Sequence, residues 1–220
     1  MRSVIFDLDG TLADTSGDLI AAANWCFSEM GSEARLDPMR DAATSFRGAR
    51  AMLKLGLERQ DAFDAETVEL WYPRLLTAYG DAIDVHTRLY PGAIEAVKAL
   101  RCDGWRVGIC TNKPEGLAET LLQKLGVRDI FGALIGADTL PVRKPDPLPY
   151  TEVVARLGGA VGRSCLVGDT DTDRKTAAAA GVPCILVTFG PDGEAVRDLA
   201  PEGVIGHFEE LQGEVARLVS

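Results

Sequence analysis

Four short runs of this chain are rich in Val, Ile, Leu or Phe and turn polar only near their ends: SVIFDLD (3–9), RVGICTN (106–112), SCLVGDT (164–170) and CILVTFG (184–190). A run that does not alternate apolar with polar has no face to offer water, so it must be covered on both sides. Between the runs lie helical patterns at 92–103, 115–125, 147–158, 172–180 and 208–218. Strand and helix alternating in this way predict a parallel sheet with helices on both faces. GALIGAD (132–138) reads as a fifth, weaker strand, and GVIG (203–206) as a short edge strand.

Residues 15–87 interrupt the alternation. They hold the amphipathic stretches GDLIAAANWCFSEMG, MRDAATSFRGARAMLKLGL and DAETVELWYPRLLTAYGDAI, with no convincing strand among them. The expected organisation is an α/β core from 1–14 and 88–220 with a helical insert at 15–87, the chain returning through HTRLYPGA (86–93). Apolar residues make up 46% and charged residues 25% of the 220, which suffices for a substantial core. The net charge of −10 argues against nucleic acid as a partner, and it obliges any anionic ligand to find local positive charge.

The five cysteines (26, 102, 110, 165, 184) are scattered, form no CxxC pair and read as small buried hydrophobes of a reducing compartment. No apolar stretch approaches the ~20 residues of a membrane span. With the first strand at residue 3, a cytoplasmic location is expected, and no membrane partner. Oligomeric state is open between monomer and homodimer.

In an open parallel sheet, ligands bind beyond the carboxyl ends of the strands. The first run ends in Asp7-Leu8-Asp9-Gly10-Thr11, the second in Thr111-Asn112-Lys113, and the third in Gly168-Asp169 followed by Asp173; Lys144 follows the fifth, in VRKPDP. Taken singly, each has an ordinary explanation: DxD as a turn, TNKP as a capped helix start, GDTDTD as an acidic helix N-terminus. Taken together, each piece falls at the end of its own strand in one consistent topology.

With these four pieces in order, the chain resembles the haloacid dehalogenase superfamily, most of whose members are phosphatases. DLDGTLADT looks like motif I, TNKP motif II, the lysine of RKPDP motif III and GDTDTD motif IV, and the insert is similar to the helical cap that follows motif I in one subfamily. The implied fold is a Rossmann-like parallel-sheet core with a small all-helical cap, and the implied cofactor is Mg²⁺. Hydrolysis of a phosphate monoester is eased by a carboxylate nucleophile that forms an aspartyl-phosphate, and by a hard cation among oxygen ligands.

The resemblance also implies roles. Asp7 is nucleophile and metal ligand. Asp9 is acid/base, with its backbone carbonyl on the metal, and Asp169 is the third ligand. Asp173 supports a metal-bound water or Lys144. Thr111, the Asn112 amide and Lys144 hold phosphoryl oxygens, while Gly10 and Thr11 form the turn after the strand.

Asp9 separates this chain from the dehalogenases, which attack carbon without metal and lack that residue. Lys54, the only lysine in 15–87, lies on an ordinary amphipathic helix and reads as solvated, which disfavours a Schiff-base lysine. KPDPLP and YPGAIEAVKAL are similar to the phosphoglycolate phosphatase group, so 2-phosphoglycolate is the expected small phosphate ester. Arg47, Gly48 and Arg50 are the expected substrate contacts of the insert. Phe46-Arg47-Gly48-Ala49 departs from the aromatic-glycine-asparagine of many relatives, which bears on substrate and not on chemistry. A phosphatase of another sugar phosphate, a phosphomutase and a Mg²⁺-binding phospho-acceptor module are the alternatives. His86, Trp25, Trp71 and Tyr72 read as structural.

Overall fold

The structure is a computed structural model that describes residues 1–219. Its described residues form two compact units, Met1–Asp14 joined with the chain from Leu89 onward, and Thr15–Arg88.

The first unit is built on a six-stranded sheet of β1 (Ser3–Phe6), β4 (Arg106–Cys110), β5 (Ala133–Ile135), β6 (Ser164–Gly168), β7 (Cys184–Val187) and β8 (Gly203–Ile205). The short strands β2 (Ala13–Asp14) and β3 (Arg88–Leu89) lie outside it. The order is β5-β4-β1-β6-β7-β8 and every pairing is parallel. Helices α5 (Ala93–Cys102), α6 (Glu115–Lys124), α7 (Leu148–Arg156), α8 (Asp171–Ala180) and α9 (Leu211–Leu218) are the other elements of the unit, with 3-10 turns between some of them.

The unbroken apolarity of the strands has its expected cause. Ile5, Cys110, Ile135, Leu166 and Leu186 pack in one buried cluster with Tyr150, Val153 and Val154 of α7. The alternate residues Val4, Phe6, Val107, Ile109, Val167 and Ile185 are buried as well. Neither face of the central strands meets water, so α/β with a doubly covered parallel sheet is the fold. All six sequence-predicted strands are present, each ending one to three residues short of its predicted carboxyl end.

The second unit holds α1 (Ser16–Glu29), the single turn α2 (Ala42–Ser45), α3 (Ala49–Glu58) and α4 (Ala65–Asp81). Ile20, Phe27, Met52, Leu53, Leu75 and Tyr79 are among its fully buried large side chains. Asp18 of α1 accepts hydrogen bonds from the His86 and Thr87 backbone N–H groups at 2.8 and 2.9 Å and from Thr87 Oγ1 at 2.8 Å. A Cβ added at Gly17 would lie 2.8 Å from the Cβ of His86, so the two ends of the unit run in close contact. Trp25 departs from its sequence reading as a packing residue: it is 46% exposed, because its position on α1 faces away from the buried stripe. Trp71 is buried, and Tyr72 is half-buried beneath Arg50.

Candidate active site

β1 is the central strand, with β4 on one side and β6 on the other, so its carboxyl end opens at the place where strand order reverses. The Asp7 N–H still bonds the carbonyl of Val167 at 2.9 Å, which prolongs the ladder by one residue and fixes the Asp7 backbone. The Asp7 carboxylate takes the Leu8 N–H at 2.8 Å and the Lys144 ammonium at 3.0 Å, both on Oδ1.

Lys144 lies between two carboxylates, Asp7 and Asp173, the latter 2.6 Å away. Burial works against its charge, but Asp173 and Asp7 outweigh burial and hold its pKa above the ordinary lysine value. Asn112 fastens the same loop by donating its side-chain amide to the Lys144 carbonyl at 3.0 Å.

Asp173 belongs to the first turn of α8. Its Oδ2 accepts from Thr170 Oγ1 at 2.7 Å and from the Thr170 and Asp169 N–H groups at 3.2 and 3.3 Å, one half of a capping box with Thr170. Asp169, at the end of β6, accepts from Thr11 Oγ1 at 2.6 Å on Oδ1, whereas its buried Oδ2 has no partner. Gly10 makes room for that oxygen: its φ is +82°, and a Cβ there would stand 2.3 Å from Asp169 Oδ2.

Asp7, Asp169 and Asp173 each offer a carboxylate oxygen within 4.8 Å of the others, and all three are buried. Burial pushes the Asp7 pKa up to about 6, against the pull of Lys144 and with help from Asp173 and Asp9. It carries Asp169 well above the carboxylate range too, with Asp173 and Asp7 adding to it. Three crowded carboxylates facing one ammonium leave a deficit of positive charge, and the orphaned Asp169 Oδ2 marks where it falls. An all-oxygen donor set fits a hard divalent cation. Asp173 already has both oxygens engaged, so Asp7 and Asp169 have the side-chain atoms to give.

The Asp9 side chain goes elsewhere. Both its oxygens are held by Lys113 Nζ, at 2.8 and 3.1 Å, and the Lys113 N–H donates to Thr111 Oγ1 at 3.2 Å. Lys113 was read from the sequence only as part of TNKP. The signal that finds it is the pairing of β4 with β1, which brings a lysine after one strand to an aspartate after the other. Nor do Thr111 and Asn112 cap α6; Asp138 Oδ1 takes the Glu115 N–H at 2.7 Å.

Arg47, Gly48 and Arg50 belong to the helical unit. Arg47 is exposed, and Gly48 opens α3 at φ +96°. The Arg50 fork is already bound by Glu69 at 2.6 and 2.8 Å, with its guanidinium 3.5 Å from the Tyr72 ring centre. Lys54 is exposed and paired with Glu58.

A family model described as haloacid dehalogenase-like hydrolase matches residues 1–181. A phosphoglycolate phosphatase of Mesorhizobium japonicum is 37% identical over 214 residues, covering 97% of this chain and 94% of that protein. One of Cereibacter sphaeroides is 37% identical over 224 residues, covering both chains fully. Among solved structures, a predicted phosphoglycolate phosphatase from Haemophilus somnus superposes with a TM-score of 0.85 at 21% identity, covering 97% of each chain, which bears on the fold.

Proposed function

Since the chain belongs to the haloacid dehalogenase-like hydrolases, we propose that it hydrolyses a small phosphate monoester, 2-phosphoglycolate, to glycolate and phosphate through an aspartyl-phosphate on Asp7. The observation that carries this reading is the Asp7 carboxylate fixed at the end of the central strand between Lys144 and the buried pair Asp169 and Asp173. The curated relatives named above support the choice of ester.

In the first step Asp7 Oδ2, which carries no hydrogen bond, attacks phosphorus, and the bond to the ester oxygen breaks. Asp9 delivers a proton to the departing alkoxide, which leaves as the alcohol. In the second step Asp9 removes a proton from water, which attacks the same phosphorus, and the phosphorus–Asp7 bond breaks to free phosphate. Thr111 Oγ, the Asn112 N–H and Lys144 hold the non-bridging oxygens while charge shifts among them. Asp173 acts through Lys144, keeping its ammonium in place.

Asp7 and Asp169, with the Asp9 carbonyl, would hold Mg²⁺. Bound there, the ion supplies the positive charge that lets a carboxylate approach a phosphate dianion.

Phosphate release from a panel of small esters, with Mg²⁺ and with EDTA, tests the proposal. The expected result is a Mg²⁺-dependent rate highest for 2-phosphoglycolate. Asp7→Asn is isosteric and cannot attack phosphorus, so it is expected to lower kcat by roughly 10³ or more while leaving thermal unfolding intact. Turnover at the wild-type rate in Asp7→Asn would remove Asp7 from the nucleophile role. A clear preference for a sugar phosphate would replace the substrate and keep the chemistry.

A further inference from the structure

Among the described residues, two lysines are buried, Lys113 and Lys144. Lys144 is held between Asp7 and Asp173. Lys113 stands one strand away, with its ammonium on both oxygens of Asp9 and its backbone N–H on Thr111. The phosphoryl site and the acid/base aspartate therefore each have a buried ammonium of their own.

The second ammonium matters because of what an acidic ester brings with it. In 2-phosphoglycolate the carboxyl carbon stands two bonds from the bridging oxygen, about 2.5 Å away by ordinary covalent geometry. Asp9 has to reach that bridging oxygen. The substrate carboxylate is thus delivered beside the Asp9 carboxylate, in a protein of net charge −10. Two carboxylates this close repel each other unless a cation stands between them. Lys113 is already bound to one of the two, and an ammonium has three protons to donate. Arg50 is poorly placed to serve, since Glu69 occupies its fork.

We propose that Lys113 is the residue that selects for an acidic leaving group: it clamps Asp9 in the substrate-free protein and takes the substrate's carboxylate when the ester binds. The proposal rests on the hydrolase reading above and deepens it. It extends to the substrate class, phosphate monoesters with an anionic group one carbon beyond the ester carbon. A neutral ester gains nothing from Lys113 and leaves it on Asp9.

The test compares kcat/KM for 2-phosphoglycolate with that for 2-hydroxyethyl phosphate, which replaces the carboxylate by an alcohol on the same carbon skeleton. Wild type, Lys113→Met and Lys113→Arg are assayed with Mg²⁺. The readout is the ratio of the two esters within each protein, which does not depend on the fraction that is folded.

Wild type is expected to prefer the acidic ester, and Lys113→Met to lose on the order of 10- to 100-fold of that preference, mainly through KM. Lys113→Arg keeps most of it, because the charge is retained. If Lys113→Met loses activity on both esters by the same factor, Lys113 is not the selecting residue, although the hydrolase reading stands. Wild type that prefers the neutral ester, or hydrolyses neither, overturns the substrate reading and this proposal with it.

Discussion

Asp173 has two oxygens and two tasks. Oδ2 closes the first turn of α8 through the capping box, and Oδ1 holds the Lys144 ammonium. From sequence alone, GDTDTD allows either a helix cap or a site, and the structure has Asp173 closing the cap with one oxygen and holding Lys144 with the other. Asp169 is the opposite case, a buried carboxylate whose free oxygen has no partner within the protein. Removing its charge ought therefore to help the empty fold. Asp169→Asn is expected to raise thermal stability in EDTA by about 1–3 kcal/mol, the usual relief for an unpaired buried charge, and to lose the stabilisation that Mg²⁺ gives wild type. Calorimetry of both proteins with and without the metal reads this out, and an unchanged Mg²⁺ effect in the variant would remove Asp169 from the ligand set.

The sign of the pH dependence follows from the same crowding. Asp7 titrates at about 6 in the folded protein, above its ordinary value. Its contribution to stability is whole below about pH 4 and is lost as pH rises through about 6. Metal-free protein is expected to become less stable over that window, while Mg²⁺ binding strengthens over it because the ligand must be ionised. Unfolding midpoints in EDTA at stepped pH check the first statement, and a rise in stability between pH 4 and 6 would contradict it. Lys113 shows where sequence reading stopped at this scale. Its partner lies 104 positions away, and no local pattern records a contact that exists only when β4 lies beside β1.

At the scale of elements, the strands were the legible part, because being covered on both faces leaves a mark on every residue of β1, β6 and β7 and on all of β4 after Arg106. Their last residues were not legible as strand ends, since Asp7 and Thr111 each keep a ladder hydrogen bond one residue beyond the strand. The 3-10 stretch Gly193–Leu199 was missed altogether, having one buried residue, Val196, and no apolar stripe to announce it.

In the helical unit, Asp41 joins elements far apart in the chain. It takes the Arg59 guanidinium at 2.6 and 2.8 Å and the Asp37 N–H at 2.8 Å. The Arg59 hydrogen bond, opposed by burial, holds Asp41 down at about 2. That stabilisation is present above about pH 4 and is lost as pH falls through about 2. Asp41→Asn is expected to cost about 1 kcal/mol at neutral pH, a modest figure because the arginine is partly in water. The cost should be much smaller at pH 2, where the carboxylate is about half protonated, which denaturant titration at the two pH values measures.

At the scale of the whole molecule, the contacts divide the described residues into Met1–Asp14 with the chain from Leu89 onward, and Thr15–Arg88. No helix among the described residues is long and apolar enough to cross a membrane. The acidic balance of the chain extends into its interior, where the buried Asp7, Asp18, Asp41, Asp169 and Asp173 outnumber the two buried lysines, Lys113 and Lys144.

One contact noted above has a bearing on ancestry and on engineering. Asp18 staples the outgoing chain to the returning one, and Gly17 lets them touch. The seventy residues 17–86 begin and end at this contact, so along the chain a short bridge can stand in their place. A protein in which a Gly-Ser linker of about three residues replaces 17–86 is expected to fold with its parallel sheet intact and to bind Mg²⁺, as circular dichroism and calorimetry would register. Such a juncture in the chain is where one lineage can exchange its helices for another's and keep an inherited chemistry.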